Sequence, residues 1–555
     1  MGGANNTVDV PSQSEGVPAS PSTPGAGATS TERSVRAVVG RAALIILVAT
    51  LVGRLFGLVR DMLVAYLFGA GAATDAYFLA YKLPYLLALM VSGALTATFI
   101  PLLTYRLSTN RRREAWDLAV NMGNIIFVAL VVIAIALIIL APWIIPLVGF
   151  GFSKSTADKA VVLFRILMLG FVFDGLAGLV VGMLNSVRRF ALAAFAPAVG
   201  TVATIVLTVI LARPLDIRAL AIGSVAGSLV GFLALLPGLR DQDISYRPRI
   251  NWRDPGVREV GGMLWPVLIG SAVGKISIFS DQVLGSMLAV GSISSLSYAE
   301  KLFQVPLGLF ASGIVIPIFP LLSEQVAANA PDRVKATINF SLRLMGFLLV
   351  PITVGMIVLR YPIVGLLFER GKFTQADTAR TAWAFMFLIL GLYVYAGRDT
   401  FTRVFYSYHD TRTPVKISVA TVFINIGLSY LFMQFMGVGG LALGTTVALT
   451  LNFVVLMGLL RRKIGTLGLT KSLRSLVHVL ALSLVMGVAV WLVDLALAHG
   501  LTPGLQANAL RVVIGGVVGL ALFLAGARLT KMPELAEITD MLRAVFRRSR
   551  QEKVA

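Results

Sequence analysis

Apolar windows of about 20 residues, the length of helix that crosses a lipid hydrocarbon core, recur along this chain some fourteen times. Their approximate bounds are 38–68, 76–103, 115–144, 160–187, 194–212, 220–239, 263–290, 295–322, 338–358, 382–405, 415–435, 441–460, 473–495 and 509–529. No soluble core needs so much apolar chain. Of 555 residues, 57% are hydrophobic and only 14% charged, with a mean hydropathy of +0.85, so lipid must be the solvent. The expected fold class is an all-α polytopic membrane protein of about 14 transmembrane helices.

The net charge of +21 would suggest nucleic acid in a soluble protein. Here the positive charge sits in short connections between apolar windows, where it reports topology. Arg106, Arg111 to Arg113, Arg188, Arg189, Arg240 to Arg258, Arg333, Lys335, Arg412, Lys416, Arg461 to Lys463 and Arg543 to Arg550 fall on one side. The opposite connections hold scattered charges such as Lys154, Arg218, Arg370 and Lys372. The positive-inside rule then places both termini in the cytoplasm, with the chain multi-pass in the inner (plasma) membrane.

The two halves repeat. Tyr81-Lys82-Leu83 precedes Phe99-Ile100-Pro101, and Glu300-Lys301-Leu302 precedes Ile318-Phe319-Pro320; 301 − 82 and 320 − 101 both equal 219. Leu220 to Ser224 parallels Leu441 to Thr445, and 444 − 223 gives 221. A duplicated six-helix unit follows, its two copies in the same orientation about an axis along the membrane normal. The expected organisation is a disordered cytoplasmic tail (1–35), an N-lobe of spans 1–6 (36–240), a cytoplasmic linker (241–262), a C-lobe of spans 7–12 (263–463), two extra helices (464–530) and a basic amphipathic tail (531–555). In that last tail Leu535, Ile538, Leu542, Val545 and Phe546 recur at helical spacing among arginines, as in a helix lying on an anionic leaflet.

Several function classes drop out. Cysteine is absent and histidine occurs three times, which removes thiol nucleophiles, disulfide frameworks and His/Cys metal clusters. No phosphate-binding loop is present, so a gradient or the membrane potential would drive any transport, and no cofactor is expected beyond a coupling cation, sodium or proton.

Charges inside spans are costly unless they meet a wet cavity or a partner. Arg54, Arg60 and Asp61 lie in the first span, Lys82 in the second, Lys275 and Asp281 in the seventh, Glu300 and Lys301 in the eighth, and Arg398, Asp399 and Arg403 in the tenth. Arg54 and Asp61, seven apart, share a helix face. Lys82 and Lys301 occupy equivalent positions in the two copies, so a true two-fold would bring them to one central cavity suited to anions. Guanidinium groups clamp phosphate oxygens in pairs and lysine adds a mobile point charge, which fits a phosphate or pyrophosphate head group. The alternative is local: Arg60 with Asp61 as a structural pair, arginines snorkelling to the interface, and Arg398, Asp399 and Arg403 compensating one another. Asp281 could hold a cation, take a proton or neutralise Lys275.

Gly53-Arg54, Gly57, Arg60-Asp61, Phe68-Gly69-Ala70-Gly71, Thr74-Asp75-Ala76 and Lys82-Leu83-Pro84, taken as an ordered set, resemble the opening signature of the MurJ (MviN) lipid II flippases of the multidrug/oligosaccharidyl-lipid/polysaccharide exporter superfamily. Tyr298 to Leu302 with Pro306, Phe368 to Phe373, and Phe405-Tyr406-Ser407 followed by Asp410 to Pro414 agree with it. The resemblance implies a V-shaped pair of lobes around a cationic cavity that receives the pyrophosphate-linked head group of lipid II, an undecaprenyl-pyrophosphate glycopeptide. It implies that the undecaprenyl tail stays in lipid, in a groove formed by the two extra helices.

In such proteins Arg54, Arg60, Asp61, Asp75 and Lys82 match essential or substrate-contacting positions, and Asp281 resembles a sodium ligand of the second lobe. Two departures stand out: Ala88 and Leu89 occupy a stretch where family members carry an arginine, and Lys301 and Gln304 stand where an arginine and an acid are common. Lys275 would then assist at the head group. Membrane lipids and cell-wall synthesis or division proteins are the expected partners, and nucleic acid is not. The competing readings are an exporter of another polyprenyl-linked glycan or of drugs, which would favour acids and aromatics in the cavity, and an intramembrane glycosyl- or phospho-transferase, which would cluster acids at a water boundary.

Overall fold

A computed structural model describes residues 30–540 and 543, apart from 243, 247, 249 and 503. Among the described residues the chain is all helix and turn, without a strand. The helices are α1 (Ser30–Phe68), α2 (Ala72–Ser108), α3 (Arg112–Val148), α4 (Lys154–Ser186), α5 (Phe190–Leu215), α6 (Ile217–Leu235), α7 (Pro255–Gly285), α8 (Ser292–Pro306), α9 (Ser312–Ala327), α10 (Pro331–Val358), α11 (Arg360–Phe368), α12 (Gln375–Leu390), α13 (Leu392–Ser407), α14 (Arg412–Met436), α15 (Val438–Ile464), α16 (Thr470–Gly500) and α17 (Leu505–Leu529).

Local chemistry sets the helix starts. The Ser153 hydroxyl accepts from the Thr156 N–H at the head of α4, Asp254 accepts from Gly256 and Val257 ahead of α7, and Thr374 with Asp377 forms a capping box on α12. All fourteen apolar segments are helical. By length and composition eleven helices among the described residues qualify as membrane spans, or twelve if α7, bent by 42°, is counted whole. The count of fourteen is therefore not reached on that criterion. Segment 295–322 is broken instead: α8 ends at Pro306, a π-turn covers Leu307–Ala311, and α9 follows. Proline removes one backbone donor, and the wider turn absorbs the mismatch.

The duplication is written into the turns as well as the spans. Asn110, Arg188 and Asp216 have positive φ in the first copy, and Asn329, His409 and Gly437 have it in the second. The separations 329 − 110, 409 − 188 and 437 − 216 are 219, 221 and 221, the same offsets as the sequence repeat. Packing repeats too. In the first lobe α2 lies on α4, α5 on α6 and α1 on α5; in the second α8 and α9 lie on α12 and α13, α14 on α15 and α7 on α14. The helix α7 also touches α2 and α3, and so bridges the lobes. Below, the end carrying the arginine-rich connections is called the basic end and the opposite one the bare end.

The extra helices attach to the second lobe: α16 packs on α10, and α17 on α16 and α11. Phe347, Val479, Met486, Val490 and Phe523 form their shared core.

Three expectations change. Residues 30–35, expected in the tail over 1–35, belong to α1; residues 1–29 lie outside those described. The linker expected over 241–262 is helical from Pro255. The C-terminal amphipathic segment does not turn its apolar face to lipid over its described part. Met532, Leu535 and Ile538 pack into the core of α10, α16 and α17. Glu534, 1% exposed, accepts from Ser475 at 2.8 Å and pairs with Arg343 at 3.6 Å. Its apolar positions have a protein groove to fill, and Glu534 and Glu537 both meet Arg343 there. Leu542, Val545 and Phe546 lie outside the described residues.

Candidate functional site

Between the lobes, in the bare-end halves of α1, α2 and α7 and on α8, the intramembrane charges collect. Arg60 lays Nε and Nη2 on Asp61 Oδ1 at 3.2 and 2.9 Å, so the local pair foreseen as an alternative does form. Lys82 on α2 reaches across the interface to Glu300 on α8 at 3.1 Å. Lys301 makes no direct ion pair among the described residues, yet it lies in the field of Asp61, Arg60, Lys82 and Glu300. Asp281 on α7 adjoins Glu300 and Lys82. Arg54, a turn and a half before Arg60, donates from Nη1 to the Gln304 carbonyl at 3.2 Å, beside Gly308, where any Cβ would overlap the guanidinium.

Lys82 and Lys301 thus lie near one another, with Arg60 beside them and Arg54 further along α1, and carboxylates stand among them. Asp61, Glu300 and Asp281 stand among the four cations and leave a single positive excess. The cause is physical: at membrane depth unpaired cations cost several kcal/mol each, and the nearest carboxylates offset that cost.

Asp75 lies elsewhere, at the bare end. Its carboxylate accepts from the Gly291 N–H at 2.6 Å and from the Ser294 N–H and hydroxyl at 2.7 and 2.6 Å. It thereby caps α8 of the opposite lobe, meeting the orphan donors of that helix start. Since 294 − 75 is 219, two repeat-equivalent residues touch, which places them on the pseudo-two-fold axis. Around them Tyr298 donates to the Gly69 carbonyl at 3.2 Å and the Lys372 N–H to the Tyr66 carbonyl at 2.9 Å. Gly69 (φ +69°), Gly291 (φ +91°) and Gly371 (φ +58°) let these main chains meet; a Cβ on Gly371 would strike the Tyr66 carbonyl. The glycines at 69–71, read from sequence as a tight turn, serve a seal between the lobes.

Asp281 also begins a polar path into the second lobe. Thr445 donates to Asp281 Oδ2 at 3.3 Å, Asn425 to Thr445 at 3.0 Å, and Ser277 to Asn425 Oδ1 at 2.9 Å. The other carboxylate oxygen of Asp281 is buried and unpartnered. Oxygen donors of this kind suit a hard cation such as sodium.

Lys275 forms no ion pair or hydrogen bond among the described residues, and nothing places it in the network. Arg403 pairs with Asp399 at 3.5 Å within one helix, which is part of the self-compensation anticipated there, while Arg398 Nε is buried and unpartnered among the described residues. The sequence marks Glu300 as an intramembrane acid, and only the packing of α8 on α2 makes it the partner of Lys82. The uncharged Asn425 and Thr445 carry no sequence signal of their own. Asp174, midway along α4, was missed, although a scan for charges inside spans finds it directly. It faces a cavity of about 380 Å³ within the first lobe, which Arg60 also lines.

The chain matches the family model described as "Lipid II flippase MurJ" over residues 64–510. It is 30% identical over 518 residues to "Probable lipid II flippase MurJ" of Vibrio cholerae, covering 90% of this chain and 98% of the relative. To "Lipid II flippase MurJ" of Burkholderia cenocepacia it is 30% identical over 434 residues, covering 76% and 84%. Among solved structures, "Lipid II flippase MurJ, inward closed conformation" superposes with a TM-score of 0.73 at 24% identity, over 87% of this chain and 99% of that one. An inward-facing multidrug resistance MATE family transporter superposes with a TM-score of 0.66 at 15% identity, over 77% and 99%.

Proposed function

The chain belongs to the MurJ family of lipid II flippases, and from that premise we propose that the charged network between its lobes holds the pyrophosphate of lipid II during transfer across the membrane. One observation carries this reading: Arg60 and Lys82 of the first lobe meet Lys301 of the second with Asp61 and Glu300 among them, while Arg54 reaches the second lobe at the Gln304 carbonyl.

Before substrate arrives, Asp61 and Glu300 neutralise Arg60 and Lys82. An entering pyrophosphate offers more negative charge and more acceptor oxygens than either carboxylate, so it competes for the same donors. Lys301 and Arg54, which have no carboxylate within ion-pair distance among the described residues, can turn to it, Arg54 exchanging its bond to the Gln304 carbonyl. Because Lys82–Glu300 spans the lobes, breaking it on binding removes a tie between them. A ligand shifts a conformational equilibrium only through such differential contacts. The seal around Asp75 keeps the bare end shut while the head group enters from the basic end. With the basic connections in the cytoplasm, the bare end faces outward, and rocking of the lobes delivers the substrate to the outer leaflet.

Asp281, Thr445 and Asn425 would hold a coupling cation. Bound there, it would supply positive charge next to Glu300 and favour release of Lys82.

The test is leaflet-resolved measurement of lipid II in cells depleted of their own flippase and complemented with this chain. Arg54→Ala and Lys301→Ala, expressed at wild-type levels, should abolish outward delivery. Normal delivery by either variant removes that residue from the mechanism.

A further inference from the structure

The cavity in the first lobe has no part in the pyrophosphate mechanism as described, yet it is built for a ligand. Helices α1, α2, α4, α5 and α6 enclose about 380 Å³, within the size range of sites that take small organic molecules. One wall is aromatic. Tyr77, Tyr81 and Tyr85 form a ladder one turn apart along α2, Tyr81 and Tyr85 stacked at 5.5 Å and 20°, and Tyr85 is 42% exposed. The facing wall is hydroxylic: Thr201 and Thr204 of α5 and Ser224 and Ser228 of α6 line it near the accessible carboxylate of Asp174, and Ser92 adds a hydroxyl from α2 itself. Arg60 closes one side, so the cavity opens directly beside the charged network. Ala88, at the same wall, leaves room that a longer side chain would fill.

A carboxylate halfway along a membrane helix is retained where water or a polar ligand meets it. Flat rings beside a carboxylate and several hydroxyls match a neutral polyhydroxylic molecule. The C–H face of a sugar ring packs on tyrosine, while its hydroxyls donate to the carboxylate and exchange bonds with serine and threonine. A small cation would use Asp174 but leave the outer face of Tyr85 and most of the volume without a partner.

We infer that this cavity is the subsite for the sugar portion of the lipid-linked substrate, with Tyr85 and Asp174 as its principal contacts and Arg60 at the junction with the pyrophosphate. The inference rests on the reading that the adjoining network holds that pyrophosphate.

The experiment compares binding of lipid II and of sugar-free undecaprenyl pyrophosphate to the full chain in lipid nanodiscs. Wild type should prefer lipid II by about tenfold or more, the scale of one or two net hydrogen bonds with a packed ring. Tyr85→Leu and Asp174→Asn should each erase about tenfold of that preference and leave undecaprenyl pyrophosphate binding unchanged, while Tyr85→Phe keeps it. Equal weakening of both ligands, no change in either, or no preference in wild type overturns the subsite. So does an Asp174→Asn variant that alters sodium dependence but keeps the preference, which would make Asp174 a cation ligand. Failure of wild type to bind either lipid would overturn the pyrophosphate reading itself. Should Asp174→Asn not fold, the Tyr85→Leu and Tyr85→Phe pair decides.

Discussion

The lobes meet at two levels built from different materials. At the bare end, the contact consists of main-chain donors, two hydroxyls, one carboxylate and three glycines of positive φ: short, directional and intolerant of added atoms. Further in it consists of long side chains, with the Lys82–Glu300 pair crossing from lobe to lobe and Arg60–Asp61 beside it, whose ion pairs can exchange partners. A latch that must be either shut or open suits the first kind of contact. A binding site that must hand its cations to a substrate and take them back suits the second.

The sharpest way to break this contrast is Asp75→Ala, which strands two buried N–H groups and a hydroxyl. Charge-assisted hydrogen bonds contribute about 1.5–3 kcal/mol each, so the shut arrangement should lose about 3 kcal/mol or more. The chain has no native cysteine, so an introduced Ala70→Cys reports the seal. Its labelling by an impermeant maleimide should rise from slight to near complete when Asp75 is removed, and unchanged labelling would refute the latch.

Next in size is the exchangeable pair. Lys82→Ala leaves Glu300 uncompensated and should cost about 2–3 kcal/mol in thermal unfolding, below the 3–5 kcal/mol of a fully buried pair. The double variant Lys82→Ala/Glu300→Ala should recover most of that stability while transport stays lost. If the two single costs simply add, the residues do not act as a pair.

Gly371→Ala tests the glycine contacts. Left-handed backbone costs about 1–2 kcal/mol for a residue with a Cβ, and the contact with Tyr66 adds to it, so labelling at Ala70→Cys should rise partly. Gly53→Ala, where a Cβ meets nothing, should leave the seal unchanged.

The smallest effect lies at the basic end, away from both levels. Burial alone would raise the Asp410 carboxyl, but hydrogen bonds from Lys463 and Thr413 outweigh it and hold it below the usual carboxylate range. A depressed carboxyl stabilises the fold above the unfolded value of about 4 and loses that contribution as pH falls through the lower folded value. Asp410→Asn should therefore cost up to about 1 kcal/mol at neutral pH and nothing at a pH below both values, read from the difference in Tm.

Much of the fold is legible in residues alone, because lipid obliges every span to satisfy its own backbone and so to appear as a long apolar window. Repeats at 219 and 221 residues announced the two lobes, and the same offsets recur in the positive-φ turns that nobody would read from side-chain pattern. The charge inventory was equally plain, whereas its pairing was not. Glu300 and Lys301 are neighbours on one helix, and only docking of α8 against α1 and α2 turns the first to Lys82 and leaves the second near Asp61. The tail 532–540 shows the same limit: its periodicity fits a lipid surface and a protein groove equally, and Arg343 at the groove decides.

The sequence by itself determined that the chain lies in lipid, that it is doubled, that its basic connections alternate, and that cations sit where the membrane makes them expensive. Those properties are one-dimensional, set by length, hydropathy and spacing. The tertiary structure decided which cation meets which carboxylate, that Asp75 caps a helix of the other lobe, and that Asp174 opens on a cavity with Arg60 and Tyr85. Such facts depend on distances of a few ångströms between helices hundreds of residues apart, and no periodicity encodes them.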